Sequence, residues 1–496
     1  MRLAMRSSRS ARLFQLFLLI AMSLPGPLSP HVFAQWSGAT RDTLTHDSFR
    51  DENTPQSLVV DNSGTLHVVW QRANAGSGWR VFYTRGTAGS WMPREEVGDS
   101  LLASFHPSLA VEQSTGIPWV AYQASWGQSD EIMVATDSAT AWHRTRLTTN
   151  GTPDLSPTIA VDNNNKVHVA WIGQDSSLTW KMVYATNIEG SWKVQLLSGS
   201  ALGGFGSGAA PCLVVGPSGI AHIFYRGGDY PDYHIDHATN SRPGDSTWSY
   251  EIVTTPNGAD YTAAATIDAQ ATLHLLASGN DGFGFPPHAY YMKKASGSSW
   301  TSPELANPGG TGSGVSLVLD RFGKAHITWD EVSGNIITGN QYYATNRTGT
   351  WSIASVQTDQ QTYDGVLGID AVGRGHLLAY NGATFASQEI IVFHSAATLT
   401  GLEEASPQPG AVSLHQNYPN PFNPGTRISY RLTGRSNVSM KVYDVLGGEV
   451  ESLIRGFQEA GEHTVYFDGS NHASGVYVYT LQCNSSLLMR RMLLLK

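Results

Sequence analysis

One phrase recurs seven times along this chain of 496 residues. It consists of an apolar pair, an acid, a Gly-containing turn, then His and a short apolar run ending in Trp or Tyr. The first copy runs from Val60-Asp61 through His67 to Trp70. Successive copies are separated by 50 to 54 residues at the acid column, which reads Asp61, Glu112, Asp162, Gly216, Asp268, Asp320 and Asp370. A period of about 50 residues with strand-like content predicts a β-propeller.

Each repeat divides into four short strands. The first ends at the acid, the second contains the His, and the third is apolar and aromatic, as in Val81-Phe82-Tyr83-Thr84. The fourth follows a Gly/Ser-Trp turn such as Ser90-Trp91. Segments of this composition, bounded by Gly, Asn and Ser, are typical of antiparallel strands. Seven such sheets arranged radially bury one another's faces, so we expect an all-β, seven-bladed β-propeller over residues 35–400.

The seventh repeat has no Trp-marked fourth strand. A segment from Gln35-Trp36 to Leu44 lies ahead of the first repeat and has the composition of a strand. We expect this N-terminal strand to complete the last blade, because pairing it there removes an open sheet edge. Trp36 should then lie close to Phe393.

Residues 1–34 have the pattern of a secretory signal peptide. Four arginines, at positions 2, 6, 9 and 12, precede an apolar stretch from Leu13 to Met22. Val32-Phe33-Ala34 supplies a cleavage site after Ala34. An uncleaved anchor is the alternative, and the prolines at 25, 27 and 30 argue against it because they end the apolar run early. No other apolar run is long enough to cross a membrane, so we expect no transmembrane segment in the mature chain.

Charge and cysteine content narrow the function further. Residues 35–410 hold 19 basic and 34 acidic side chains, a formal charge of −15. A surface this acidic repels phosphate backbones, so we expect no nucleic-acid partner. The two cysteines, Cys212 and Cys483, fall in different modules, and the chain does not depend on a disulfide framework.

The C-terminal region follows a Pro- and Glu-containing linker at 401–413. Three prolines and three asparagines then hold a rigid, non-helical entry segment, and alternating apolar residues predict half-buried strands. The motif residues are Asn417, Pro419, Asn420, Pro421, Phe422, Asn423 and Pro424.

Over residues 414–496 this region resembles the type A C-terminal sorting domain of the type IX secretion system of Bacteroidota and relatives. The resemblance implies a small Ig-like β-sandwich that is recognised by the secretion machinery at the outer membrane. It also implies signal-peptide-directed export to the periplasm, followed by release or attachment at the cell surface. An ordinary adhesive β-sandwich is the alternative.

The propeller repeats resemble those of secreted sialidase-like bacterial propellers, and this resemblance extends only to the fold. The sialidase aspartate box, Ser-x-Asp-x-Gly-x-x-Trp, does not occur at the turn between strands three and four. No trio of arginines can be assigned either. Sialidase activity is therefore not expected from the resemblance.

The repeated His occurs in six of the seven repeats. An active site requires one special place rather than six equivalent ones, so we expect these histidines to satisfy buried backbone groups. Function should lie where the repeats differ, in the loops between strands two and three. Aromatic rings, carboxylates and arginines there are the mixture that binds sugars. The ligand-binding candidates are Gln71, Arg72, Trp126, Asp130, Arg226, Phe283 and Phe285.

Catalytic candidates are weaker. A glycosidase would pair Asp229 or Asp232 with Asp330 or Glu331, and a lyase would use Tyr230 or His234 as its base near Arg226. We expect no cofactor and no metal, because Asp229, Asp232 and His234 match no defined ligand spacing; a bound cation such as calcium is the alternative. The favoured hypothesis is a non-catalytic propeller that binds a polysaccharide or a surface protein. The alternative is a glycoside hydrolase or polysaccharide lyase using the same loops.

Overall fold

The computed structural model divides the chain into two compact units, residues 1–400 and residues 401–496. The residues it describes are almost entirely β-structure, as the repeats predict, with one short 3-10 turn at Gly469–Asn471. No helix among them is long and apolar enough to cross a bilayer. The described residues are 36, 38–47, 49–74, 78–127, 129–137, 141–200, 202, 210–228, 233–254, 260–279, 288–307, 312–333, 336–347, 349–356, 361–381, 388–399, 413–414, 417, 419–432, 434–443, 449–483 and 486–496.

The described part of the first unit forms seven antiparallel sheets, one per sequence repeat, here called blades one to seven in chain order. Blade one differs from the rest because its first and fourth strands are each split in two. After the N-terminal strand β1 (Thr40–Thr43), blade one consists of β2 (Arg50–Glu52), β3 (Leu58–Val60), β4 (Leu66–Asn74), β5 (Gly78–Thr87), β6 (Ser90–Trp91) and β7 (Glu95–Glu96). Blade two consists of β8 (Ser104–Val111), β9 (Pro118–Trp126), β10 (Ser129–Asp137) and β11 (Trp142–Arg146). Blade three consists of β12 (Leu155–Val161), β13 (Val167–Gln174), β14 (Trp180–Thr186) and β15 (Lys193–Leu197).

Blades four to seven repeat the same order of strands, and blade seven has three strands of its own. Blade four consists of β16 (Cys212–Val215), β17 (Ala221–Gly227), β18 (His234–Asn240) and β19 (Trp248–Ile252), and blade five of β20 (Asp260–Ile267), β21 (Leu273–Gly279), β22 (His288–Lys294) and β23 (Glu304–Leu305). Blade six consists of β24 (Gly312–Leu319), β25 (Ala325–Ser333), β26 (Ile336–Thr345) and β27 (Ser352–Val356). The three strands of blade seven are β28 (Thr362–Ile369), β29 (Arg374–Asn381) and β30 (Ile390–Thr398).

The sheets are buried on both faces because alternate residues of a strand face opposite neighbours. In β13, Val169 and Trp171 pack against blade two, whereas Ala170 packs against blade four. Seven clusters of buried apolar side chains of this kind join each blade to the next. The last of them joins blade seven to blade one through Val392 and Trp70, so the sheets form a closed ring.

The N-terminal strand belongs to blade seven. β1 pairs antiparallel with β30, with Thr40 opposite His394 and Thr43 opposite Ile391. Trp36 is fully buried in the same cluster as Phe393, between blades six and seven. The strand has four residues, shorter than the segment from Gln35 to Leu44 that the sequence suggested.

The two ends of the ring carry different loops. One end holds the turns between strands one and two, such as Asp61 to Gly64, and those between strands three and four; we call it the turn end. The other end holds the loops between strands two and three, such as the one between Trp126 and Ser129, and the connections from blade to blade; we call it the mouth end.

The described part of the second unit contains two sheets. One has the order β31 (Ser413–Leu414), β32 (Gly425–Leu432), β35 (Gly461–Asp468), and the other β34 (Glu449–Gln458), β33 (Ser436–Tyr443), β36 (Gly475–Cys483), β37 (Ser486–Leu494). Strand β32 alternates buried and exposed residues, as a strand with one face on a core must. Its Ile428 and Tyr430 join Val442 and Phe467 in a single core, which makes this unit a small two-sheet sandwich.

Candidate functional site

The repeated histidines lie at the turn end, bonded within their own blades. In blade one, His67 Nε2 lies 3.2 Å from Asp61 Oδ2 and His67 Nδ1 lies 2.6 Å from the Tyr83 hydroxyl. The sequence suggested backbone partners, but the partners are side chains, because the turn acid and the third strand both lie within reach of the ring. The same bond to strand three recurs in the pairs His168–Tyr184, His274–Tyr291, His326–Tyr343, His222–His237 and His376–His394.

Burial favours the neutral form of several of these rings. It lowers the pKa of His67 and His326 below the ordinary value. Burial, with a neighbouring histidine, lowers the pKa of His222 to about 3 and that of His376 to about 4. Blade two has Trp119 in place of the histidine, and its indole N–H donates to Glu112 Oε1 at 3.0 Å. The repeated histidines that the structure describes, and Trp119 in blade two, thus stabilise the fold through bonds within their own blades.

A cavity of about 470 Å³ lies at the centre of the ring, and its wall contains the first strands of blades two to seven and the segment between β2 and β3 of blade one. Much of the wall is apolar, as at Pro107, Leu155 and Ala264. Polar side chains such as Gln123 and Arg226 also reach it. Concave, mostly apolar spaces with a few convergent polar groups are the usual form of a ligand site, so this cavity and its mouth are the candidate site.

The rim of the cavity is shaped by β-bulges at the start of the first strands. His106, Ser156 and Asp364 occupy equivalent bulge positions in blades two, three and seven and have φ of 49°, 52° and 53°. Non-glycine residues in this region cost conformational energy and cluster at functional sites. Each bulge N–H is bonded to the second strand of the preceding blade: His106 N–H to Gln71 Oε1 at 2.8 Å, Ser156 N–H to Gln123 Oε1 at 3.3 Å, and Asp364 N–H to Asp330 Oδ2 at 3.0 Å.

Below the rim, the Gln56 side chain extends across the channel. Its Oε1 accepts hydrogen bonds from Ser108 Oγ at 2.5 Å and Thr158 Oγ1 at 2.6 Å. Its Nε2 lies 3.8 Å from Cys212 Sγ. One residue of blade one therefore ties blades two, three and four together and gives the cavity a polar crossbar.

Three carboxyl groups meet where blades six, seven and one adjoin at the mouth. Asp330 is fully buried; burial and the charge of Asp364 raise its pKa to about 8. Asp364 lines the cavity, and burial together with the charge of Glu52 raises its pKa to about 6, despite a hydrogen bond with Tyr380. Glu52 accepts from Arg50 Nε at 2.6 Å and from Gln71 Nε2 at 3.0 Å.

Blade two contributes an aromatic part of the mouth end. Trp126 is 43% exposed, and the Arg146 guanidinium lies 4.4 Å from its ring centroid. Asp130 accepts from Gln123 Nε2 at 2.9 Å and from Ser125 Oγ at 2.8 Å. The candidates Trp126 and Asp130 are thus near each other, and Gln123 connects Asp130 to the bulge of the next blade.

Other predicted residues are engaged within the protein. Arg72 is buried, and its guanidinium binds Asp51 through two bonds of 2.7 Å and Asp47 through a third of 2.7 Å. Glu331 accepts from Asn340 Nδ2 at 2.7 Å and Thr338 Oγ1 at 2.8 Å, and these bonds keep its pKa low.

In blade four, the Arg226 guanidinium stacks 4.4 Å over the Tyr233 ring. His234 Nε2 lies 3.3 Å from Asp236 Oδ1, and burial raises the pKa of Asp236. Five candidates, Asp229, Tyr230, Asp232, Phe283 and Phe285, lie outside the described residues. Among the residues that are described, no group of three or more His, Cys, Asp or Glu side chains is arranged to hold a metal ion.

The sequence analysis did not single out His106, Ser156, Asp364 or Gln56. A signal for the bulges was present: Pro107, Pro157 and Pro211 each stand five residues before the acid column. A residue before proline is restricted to few backbone conformations, which marks an irregular strand start. No comparable signal identifies Asp364, because Gly365 takes the place of the proline.

In the second unit, the asparagine–proline segment is fastened to the sandwich. The Asn417 backbone N–H donates to the Tyr479 hydroxyl at 2.8 Å, and Asn417 Nδ2 donates to Thr426 Oγ1 at 2.9 Å. Asn420 Oδ1 accepts from the Leu493 N–H at 2.9 Å, and Phe422 is buried in the core. Pro421, Asn423 and Pro424 remain exposed, as does Pro419.

Solved structures with similar folds share little sequence with this chain. A protein of unknown function from Dyadobacter fermentans DSM 18053 has 12% identity and a TM-score of 0.47, covering 72% of this chain and 97% of its own. The Hadza microbial sialidase Hz136 has 13% identity and a TM-score of 0.43, covering 73% of this chain and 68% of its own. The polysaccharide lyase Uly1 has 11% identity and a TM-score of 0.44, covering 68% of this chain and 89% of its own. No curated protein matches the chain.

Residues 416–494 match the family described as the secretion system C-terminal sorting domain. This confirms the resemblance seen in the asparagine–proline segment and the strands after it. A domain of this kind indicates interaction with the secretion machinery and a secreted or outer-surface location. The chain therefore carries a C-terminal sorting domain of the type IX secretion system after its propeller.

Proposed function

We propose that this protein is a glycan-binding propeller of the cell exterior and that its ligand binds at the mouth of the central channel. One observation carries the proposal: residues at one position differ from blade to blade there. Four positions after the repeated His or its replacement stand Gln71, Gln123, Ile172, Arg226, Ser278, Asp330 and Tyr380. Three of these, Gln123, Ile172 and Arg226, line the cavity and give it an asymmetric wall. The repeated residues at the turn end, in contrast, are bonded to each other.

The chemistry around the mouth favours sugars. Flat rings stack on the apolar faces of a sugar while amides and acids bind its hydroxyls. Trp126 offers an exposed ring, Trp180 lines the cavity, and Tyr363 and Tyr380 stack 5.6 Å apart beside it. Gln123 and Arg226 supply polar groups at the same cavity.

Binding is favoured over hydrolysis because of how the carboxylates are used. Both oxygens of Asp330 accept hydrogen bonds, from Gln341 and from the Asp364 N–H, and the residue is fully buried. Glu331 is held by Asn340 and Thr338. A glycosidase requires an acid and a second carboxylate that both reach the substrate. The alternative, a hydrolase or lyase, is favoured by Asp364, which lines the cavity beside Tyr380 with a pKa raised to about 6.

The export steps form the second part of the proposal. We infer that a signal peptide is removed after Ala34, that the propeller spans residues 35–400, and that a linker at 401–413 precedes an Ig-like sorting domain at 414–496. Removing residues 414–496 should stop release to the cell exterior and leave the protein in the periplasm. Cell fractionation checks this, and mass spectrometry of the exported protein checks the cleavage position.

Ligand binding is tested with the whole exported chain on a panel of polysaccharides. We expect at least one glycan to bind without new reducing ends or unsaturated products. Trp126→Ala should weaken that binding about tenfold, equal to about 1.4 kcal/mol. Phe322→Ala is the matched control, since Phe322 is an aromatic residue 59% exposed at the turn end.

Equal losses in Trp126→Ala and Phe322→Ala would contradict a site at the mouth. Release of products that is lost in Asp364→Asn would favour the enzyme instead.

A further inference from the structure

The carboxyl cluster at the mouth has more hydrogen-bond acceptors than donors. Around Asp330 and Asp364, two buried amide oxygens, Asn53 Oδ1 and Gln341 Oε1, have no hydrogen-bond partner, and neither does the Thr362 hydroxyl, which can donate as well as accept. These residues are only 4%, 0% and 0% exposed, so bulk water does not satisfy them. Buried polar atoms are normally paired, and an excess of acceptors calls for a group that brings donors.

The unpartnered atoms adjoin the cavity residue Asp364. Asn53 Nδ2 donates to the Asp364 carbonyl oxygen at 2.7 Å, and Gln341 Nε2 donates to the Thr362 carbonyl oxygen at 3.1 Å. Gln341 Oε1 lies against Gly365, the next residue of the bulge, where even a Cβ would collide with it. The two amide side chains therefore lie against the backbone of the bulge that carries Asp364.

The positive charge nearby is already used. Arg50 binds Glu52 through Nε at 2.6 Å and also donates to Gln388 Oε1 at 3.2 Å. Asp364 receives a hydrogen bond from the neutral Tyr380 hydroxyl. Tyr380 and Tyr363 stack with an interplanar angle of 27° and offer ring faces, which attract cations.

We propose that Asp364, with Glu52 and Tyr380, binds the protonated amine of a basic ligand, an amino sugar within the glycan of the proposed function. An ammonium group brings three donors and a positive charge, which matches both the acceptor excess and the carboxylates. The proposal rests on glycan binding at the mouth and adds the chemical class of the sugar. The charge of −15 over residues 35–410 attracts such a cation.

The proton balance supports the same assignment. Asp364 faces Glu52 from blade one, Asp330 from blade six and Tyr380 on its own blade, with Arg50 beyond Glu52. Burial and the charge of Glu52 raise the pKa of Asp364 to about 6. A bound ammonium would stabilise the ionised carboxylate, so Asp364 would lose its proton when the ligand binds. Affinity should then be bell-shaped in pH, with the acidic limb near pH 6 set by Asp364 and the basic limb set by the amine of the ligand.

The test compares two oligosaccharides that differ only in their nitrogen. The whole exported chain is titrated calorimetrically with a β-1,4-glucosamine oligomer and with its N-acetylated counterpart of equal length, at about pH 6.5. We expect the amine form to bind at least about tenfold more tightly. Asp364→Asn should abolish the preference and the acidic limb. Asparagine tolerates positive φ, so the bulge at Asp364 should keep its backbone.

Asp175→Asn is the matched control, because Asp175 lies at the mouth end in the turn after β13, where it accepts from the N–H groups of Ser177 and Thr179. It should keep the preference for the amine. Equal affinities for the two oligomers, or a preference that survives Asp364→Asn, would overturn the inference while leaving glycan binding intact. Failure of both oligomers would also overturn it, and binding to the wider panel then decides the proposed function separately. A thermal melt of each variant separates loss of fold from loss of ligand.

Discussion

The two ends of the propeller are made by the same seven sheets and solve different problems. At the turn end, the acid, the histidine and the third-strand tyrosine recur, and His67 bonds to both Asp61 and Tyr83. At the mouth end, equivalent positions hold unequal residues, and several buried oxygens lack partners. Unpartnered buried atoms occur at the turn end as well, as at His326 Nε2 and Asp320 Oδ2, so the contrast lies in repetition. A pattern that repeats from blade to blade specifies a fold, whereas a pattern that varies is suited to one ligand.

This difference is also electrostatic. Burial at the turn end lowers the pKa of His67 and His326, which favours the neutral form of both rings. Burial at the mouth raises the pKa of Asp330 and Asp364, so protons are retained there. Burial thus favours the neutral form of the repeated histidines at the turn end and of the Asp330 carboxyl group at the mouth.

The largest expected effect comes from Trp36, which lies near Gly375 and Leu399 where β1 closes the ring. Trp36→Ala should lower the free energy of unfolding by about 3–5 kcal/mol, because it empties a fully buried site. Chemical denaturation measures the loss. Trp126→Ala at the mouth end is the comparison, and a loss there as large as that of Trp36→Ala would contradict the division into a structural end and a binding end.

The next effect concerns a single repeated histidine. His326 is fully buried and bonds to the Tyr343 hydroxyl at 2.6 Å. His326→Ala should cost about 1–3 kcal/mol for each buried partner left without its hydrogen bond. His143→Ala, at an exposed position on β11, should change the stability by less than about 0.5 kcal/mol. Similar denaturation midpoints for the two variants would show that the repeated histidine does not support the fold.

The two ends should respond to acid with opposite signs. The unfolded chain protonates His376 below about pH 6.5 while the folded chain does not until about pH 4, so acidification costs stability there. Folded Asp330 keeps its proton up to about pH 8 while the unfolded chain loses it near pH 4, so rising pH costs stability at the mouth.

Melting temperatures of His376→Gln and Asp330→Asn, each relative to the parent protein, check these signs. The difference for His376→Gln should grow more favourable as pH falls from about 6.5 to about 4. The difference for Asp330→Asn should grow more favourable as pH rises from about 4 to about 8. Slopes of the same sign would refute the electrostatic contrast.

The smallest expected effect is at the rim. Gln71 Oε1 accepts from the His106 N–H of the next blade at 2.8 Å. Gln71→Ala should cost about 0.5–1.5 kcal/mol, the net value of a partly buried hydrogen bond. Gln174→Ala at the same end removes only an exposed bond to the Leu178 carbonyl oxygen and should have no measurable effect on unfolding.

The blades could be predicted because each one is local. The acid, the His and the Tyr of one blade lie within about 25 residues of each other, and apolar alternation marks their strands. The position of β1 also followed from counting strands. The seventh repeat had no fourth strand, and the segment from Gln35 to Leu44 belonged to no other repeat. In blade two, Glu112 and Trp119 replace the Asp and the His of the other repeats, and a hydrogen bond still joins these two positions.

The mouth could not be predicted in the same way, because its contacts join different blades. Asp330 and Asp364 are 34 residues apart, and Gln56 meets Thr158 across 102 residues. Such pairs have no periodic signal, and no motif distinguishes Asp364 from the other acids of the chain. Arg72 was selected as a ligand-binding candidate because of its loop, yet its partner Asp51 is on the neighbouring strand β2.

The pairing of Thr40 with His394 also has a consequence for the order of biogenesis. His394 lies 352 residues after Asp42, so β1 stays unpaired until the strands of all seven blades have been synthesised, and the ring cannot close progressively. The ring of blades can close only after β30 has been synthesised, and the sorting domain comes after β30 in the sequence. Because the sorting domain is synthesised after β30, a chain that carries it already contains every described strand of the propeller.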